Sequence, residues 1–131
     1  MDSYFLKLDG IRGGSKEPKH VGEIEIETYN FGEDSRGSFG YGGGGGGGKV
    51  ASECIHFTKL PDSSSELLLL ACAQGKQIEK AVLTCERYDG GELRSFFAFT
   101  FKGVIVNSFQ TSGSNKETFS LVWKEMIKMF T

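Results

Sequence analysis

Reactive side chains are scarce in this sequence. It has two histidines and three cysteines in 131 residues. The cysteine count is odd, and Cys54, Cys72 and Cys85 form no C-x-x-C pair. They are expected to be packed, reduced thiols, which suits folding in a reducing compartment. Cys54-Ile55-His56 offers two ligands to a metal. A structural zinc site needs about four at recognisable spacing, so no metal is expected. There is no G-x-S-x-G elbow and no distinctive carboxylate pair. No catalytic residue and no cofactor are therefore assigned, and binding or assembly is expected rather than catalysis.

Clustered positive charge is also missing. The 15 basic residues are scattered, the net charge is −2, and the pI is about 5.7. A groove for nucleic acid needs grouped Lys and Arg, so none is expected. No apolar run approaches the roughly 20 residues of a membrane helix, and membrane insertion is not expected. The opening MDSYFLKLDG lacks a basic segment followed by an apolar one, so synthesis in the cytoplasm without a classical signal peptide is expected.

What the chain has is alternation, glycine and one apolar helix. The length suits a single domain over residues 1–131. Asp62 to Gly75 reads DSSSELLLLACAQG. Ser63 and Glu66 form an S-x-x-E capping box, so a helix is expected over Ser63–Ala73. It is apolar all round from Leu67 to Ala73, which predicts cover on more than one side. Gly75 supplies a left-handed stop.

Strands are expected at Tyr4–Leu8, Glu23–Phe31, Val50–His56, Ile78–Tyr88, Leu93–Phe101 and Val104–Phe109. A turn at Asp89-Gly90-Gly91 joins two of them, and Gly103 is a kink or bulge. Glu23, Glu25 and Glu27 read as a solvated face. The apolar phase slips at Thr28, from Ile24 and Ile26 to Tyr29 and Phe31, as at a bulge or where a strand passes between sheets. That slip leaves Asn30 on the polar side. Another strand runs from Glu117 through Trp123, while the last residues fit both strand and helix periods.

Gly32 to Lys49 is a long glycine-rich loop with seven consecutive glycines, Gly42 to Gly48. Gly43, Gly48 and Lys49 match a P-loop, but Val50 stands where the Mg²⁺ hydroxyl belongs and no helix follows. The G-x-G-x-x-G match at Gly40, Gly42 and Gly45 is equally empty. Phe39 and Tyr41 stand just before the run, as isolated aromatics that suit docking on a partner. The fold class is mainly β: a small β-barrel of two packed sheets, with one flanking α-helix and this loop.

The ordered set of motifs resembles the Hcp family, the haemolysin-coregulated proteins of bacterial type VI secretion. Phe5-Leu6-Lys7-Leu8-Asp9-Gly10-Ile11-Arg12-Gly13-Gly14-Ser15 is similar to the family's F-L-K-I-x-G-I-x-G-E-S, with Gly14 where Glu is usual. His20, the Gly22 to Ile26 stretch, Tyr29-Asn30-Phe31-Gly32, the glycine loop ending in Lys49-Val50, and Phe57-Thr58-Lys59 follow in order. The helix with Cys72 and Gly75-Lys76, then the Ala81 to Thr84 strand, complete the set.

The resemblance implies a structural subunit that forms hexameric rings, stacked into the injected inner tube of a contractile machine and carrying effectors. It implies partners in the type VI sheath, spike, baseplate and effectors, and delivery out of the cell or into a target cell. On that reading Ser38, Phe39, Tyr41 and Lys49 of the loop are expected at a subunit interface, and Thr28 and Asn30 face the lumen. The alternative from the residues alone is a monomeric or dimeric β-barrel adaptor that grips a ligand with the glycine loop.

Overall fold

Alternating apolar residues build eight strands in the computed structural model, which describes residues 2–33, 53–111, 113 and 115–130. They are β1 (Asp2–Leu8), β2 (Ile24–Ile26), β3 (Thr28–Glu33), β4 (Glu53–Lys59), β5 (Gln77–Asp89), β6 (Glu92–Thr111), β7 (Glu117–Val122) and β8 (Glu125–Phe130). Among the described residues one α-helix, α1, spans Ser65–Gln74. A 3₁₀ turn at Pro18–His20 interrupts the loop before β2. The open question over the last residues resolves as strand, because β8 continues the register of β7 along β6.

The order is β2-β1-β5-β6-β7-β4-β3, antiparallel throughout, with β8 also on β6. The two ends of this order are neighbours in sequence. β2 pairs with β1, β3 pairs with β4, and only Glu27 separates them. The Glu27 N–H donates to the Thr58 carbonyl at 2.8 Å. The phase slip at Thr28 is thus a strand crossing from one partner to another, and the two expected sheets are one sheet folded over a shared core.

Gly103 makes the fold on the other side. Phe99 and Phe101 point into the core before it, and Val104 and Val106 point in after it. The inward set changes from odd to even across a residue with φ +65°, a conformation open chiefly to glycine. In β5, Ala81, Leu83 and Cys85 face inward.

The helix differs from expectation in two ways. Its N-cap residue is Ser64, not Ser63, and no serine side chain caps the first turn. The Asp62 carboxylate takes that place, accepting from the Ser64 N–H at 2.8 Å and from the Ser64 hydroxyl. Ser63 Oγ instead donates to the Arg12 carbonyl. The capping box does not form because the helix starts one residue later and the Ser64 N–H is already taken by Asp62. Cover is also one-sided: Leu68 and Ala71 are buried, while Leu67, Leu69 and Leu70 are 41%, 54% and 52% exposed. The end follows expectation, with Gly75 left-handed and the Lys76 N–H donating to the Ala71 carbonyl.

Two polar clusters tie the loops to the sheet. His20 is buried and stacks on Phe5 at 4.2 Å between ring centres. Its ring nitrogens lie 2.9 Å from a Glu23 oxygen and 2.8 Å from a Glu86 oxygen. Glu23 therefore does not belong to a solvated face; Glu25 and Glu27 do stay exposed. Lys59, fully buried, joins Glu117 of β7 at 2.7 Å to Asp62 at 3.1 Å. This pins the start of α1 to the sheet.

Candidate functional site: an uncharged polar sheet face

Paired residues in an antiparallel ladder share a face, and neighbours along a strand alternate. The register across β3, β4, β7 and the end of β6 therefore sorts the side chains into two sets. One set faces the core: Tyr29, Phe57, Phe119 and Phe109 in one row, and Ile55, Leu121 and Val106 in the next, where Phe31 at the end of the row is 41% exposed. Phe57 and Phe119 stack at 4.9 Å.

The opposite face carries two polar rows. The first is Thr28, Thr58, Thr118 and Gln110; the second is Asn30, His56, Ser120 and Ser108. None of the eight is Asp, Glu, Lys or Arg, in a chain that is 24% charged. Thr28, Asn30, His56, Thr118 and Gln110 are exposed. Ser120 lies low between longer neighbours, 1% exposed, and its hydroxyl bonds that of Ser108 at 2.7 Å. Such a surface offers hydroxyl, amide and imidazole groups to a partner and no fixed charge.

Gly32 and Cys54 continue the face by one row. Cys54 is buried, and its Sγ lies 3.2 Å from His56 Nε2. A side-chain carbon on Gly32 would stand 3.4 Å from that imidazole, an ordinary van der Waals contact. The pair stands apart from the other histidine, since His20 lies between Glu23 and Glu86. Among the described residues no group of three or more His, Cys, Asp or Glu could hold an ion.

Beneath the face, Tyr29 sits in an aromatic cluster with Tyr4 at 5.1 Å and Phe99 at 6.2 Å. Burial first, and then the neighbouring Cys85, push its phenol up from the ordinary value. Burial likewise pushes the Cys85 thiol up to about 11, against the lowering effect of a hydrogen bond with Tyr29. Both groups are thus held neutral at physiological pH.

Thr28 and Asn30 fall together on this polar face, two residues apart on one strand. The loop residues Ser38, Phe39, Tyr41 and Lys49 lie outside the described residues. The partners of Thr28 and Asn30 on three further strands were not found from sequence. Their signal, the alternation in Cys54-His56-Thr58 and Thr118-Ser120, is present, but alternation within a strand does not say which strands are neighbours.

Comparison with known proteins decides the family. A family model described as "Type VI secretion system effector, Hcp" matches residues 5–129. The chain belongs to the Hcp family. It is 37% identical over 113 residues to Protein hcp1 of Pseudomonas aeruginosa, covering 86% of this chain and 70% of that protein. The crystal structure of Hcp1 from Salmonella typhimurium superposes with a TM-score of 0.77 at 26% identity, covering 99% of this chain and 86% of the other. A solved structure of a type six secretion system protein gives 0.81 at 26% identity, over 99% and 84% of the two chains. The mainly β Hcp fold is therefore shared, as the ordered motifs imply.

Proposed function

We propose that this Hcp protein is a structural tube subunit of a type VI secretion system. Six protomers close into a ring, rings stack into the injected tube, and effectors travel inside it. The observation that carries the reading is membership of the family over nearly the whole chain. The uncharged polar face supports it. A tube that must carry and then release varied proteins is served by weak, neutral contacts, because fixed charge would hold oppositely charged cargo and repel the rest. Thr28 and Asn30 are lumen residues on this reading, with His56 and Ser120 beside them in the same polar rows. Ser38, Phe39, Tyr41 and Lys49 contact the adjacent subunit or the next ring. Sheath, spike and baseplate proteins are the outer partners, and the machine exports the protein from the cell.

Native mass spectrometry of the purified protein, with negative-stain images of the same sample, tests this. A species of six protomers of 14.3 kDa and closed rings are expected. A monomer or dimer at every concentration would reject it and favour an adaptor. The loop assignment has its own test. Phe39→Ala with Tyr41→Ala should weaken assembly by about 2 kcal/mol or more if both are interface anchors. The circular dichroism of the protomer should not change. Unaltered assembly would remove the loop from the interface.

A further inference from the structure

Residues 12–22 form a strap on the outer side of the sheet, reaching Glu86 of β5 and Leu93 of β6. The base of the strap is held by backbone bonds. The Gly13 N–H donates to the Gly22 carbonyl at 2.8 Å, and the Ser15 N–H to the Glu23 carbonyl at 3.0 Å. The tip, Pro18–His20, is held by side chains. The Lys19 ammonium donates to the Leu93 carbonyl at 2.9 Å. The His20 ring lies flat on Phe5, 5° from parallel, and Phe5 is 6% exposed beneath it. Phe5 is on the outward side of β1, in one row with Glu25 and Thr84.

The His20 contacts carry a proton requirement. Each ring nitrogen faces a carboxylate oxygen, Nδ1 that of Glu23 at 2.9 Å and Nε2 that of Glu86 at 2.8 Å. Ionised carboxylates only accept, and a neutral imidazole has one N–H to give. With a neutral ring, one contact sets a nitrogen lone pair against a carboxylate. Both contacts form only when the cluster holds one proton more. Glu86 is 2% exposed, and His20 is the only hydrogen-bond or ion-pair partner of its side chain among the described residues. A buried carboxylate left without a donor is costly.

The neighbouring charges leave this cluster to itself. On the strap, Arg12 packs on Gly22, and Lys16 and Glu17 lead into the tip. Around it β1 carries Asp2 and Lys7, β2 carries Glu25, β5 carries Arg87 and β6 carries Arg94. Arg87 pairs with Asp2 at 3.0 Å, and Arg94 is nearest Glu92 at 3.6 Å. Among the described residues no lysine or arginine lies within ion-pair distance of Glu23 or Glu86.

We propose that His20, Glu23 and Glu86 form a proton latch. Protonated, it holds the strap tip over Phe5; on losing the proton it releases the tip and uncovers that ring. The closed strap binds one proton more than an open strap with a neutral imidazole. Closure is therefore favoured at lower pH and weakens as pH rises. Where the proton is lost, the open-to-closed ratio should rise by up to about tenfold per pH unit. The latch belongs to the single protomer and does not depend on the ring reading.

NMR on the full chain tests this. The chain has two histidines, and a His56→Asn variant assigns their signals. The ring nitrogen shifts of His20 report its protons, and upfield ring-current shifts of its carbon-bound protons report the stack on Phe5. Both nitrogens should be protonated while the stack is present, and proton and stack should be lost in one step as pH is raised. Glu23→Gln separates a latch from simple packing. Its amide N–H can donate to Nδ1, so a neutral imidazole satisfies both neighbours and the stack should outlast the proton. Glu86→Gln should act in the same way through Nε2, so the test does not hang on the folding of one variant. Loss of the proton with the stack intact in wild type would overturn the proposal, as would a neutral His20 in the closed strap at every pH. A doubly protonated His20 that persists until the whole sheet unfolds would also overturn it, since the strap would then be fixed. So would glutamine variants that release the stack together with the proton, as wild type does.

Discussion

Lys59 is the residue whose environment departs furthest from its chemistry. Its side chain is fully buried, and its ammonium contacts Glu117, Asp62, the Ser65 hydroxyl and the Leu60 carbonyl. Removing one member of such a cluster strands the others without water. Lys59→Met should therefore cost about 3–5 kcal/mol in urea unfolding, and a cost under about 1 kcal/mol would show that water reaches the site. Asp62 gives the cluster a pH dependence. Burial opposes its charge, but donors from Ser64, Gly14 and Lys59 outweigh burial and hold its carboxyl below the ordinary 3.8. A carboxyl held low in the folded state stabilises it above the unfolded value and stops doing so as pH falls through the folded one. The Asp62 contribution is thus present at neutral pH and lost in the acid range below about pH 4. Asp62→Asn should be less stable at neutral pH and show a shallower fall in urea midpoint on acidification. Parallel acid limbs for the two proteins would contradict this.

The contacts between elements turn on two glycines with different reasons. Gly103 is required by its left-handed backbone, which lets β6 exchange its inward face. Gly13 is required by closeness. A side-chain carbon there would stand 2.6 Å from the Glu23 carbonyl oxygen and from the Ile24 Cα, both backbone atoms. Backbone in a sheet cannot yield as a side chain does, so Gly13→Ala should push the loop off β2. An overpacking cost of about 1–3 kcal/mol is expected in thermal or urea unfolding. A neutral substitution would mean that the loop before β2 is not seated as described. The helix shows the same dependence on neighbours. Leu68 and Ala71 anchor it because β6 lies under them, while equally apolar residues one position away are left outside.

For the whole molecule, the decisive bond is between the two ends of the strand order. Glu27, the single residue between β2 and β3, donates its N–H to Thr58 and joins the segment paired with β1 to the segment paired with β4. An amide in that bond should exchange with solvent as slowly as the neighbouring sheet amides, which open only with larger parts of the fold. Hydrogen exchange followed by NMR reads this directly. Fast exchange at Glu27 beside slow exchange at Ile26 would show that the two ends part in solution. The same fold-over leaves the polar, uncharged rows of β3, β4, β7 and β6 on the outer side of the sheet.

Much of this was readable in the chain by itself. Period-two alternation is local, so the strands follow from side-chain geometry alone. The phase slip at Thr28 and the glycine at 103 marked both places where the sheet folds, because each breaks the alternation. Gly75 marked the end of the helix for the same kind of local reason. Three things were decided only in three dimensions. The acid that caps α1 is Asp62, since capping depends on which acceptor reaches the free N–H groups. The leucines of α1 divide into buried and exposed according to what lies beneath the helix. Thr28 and Asn30 become part of a four-strand polar surface only because β3, β4, β7 and β6 are neighbours. Strand order is a contact between distant residues, and no local pattern encodes it.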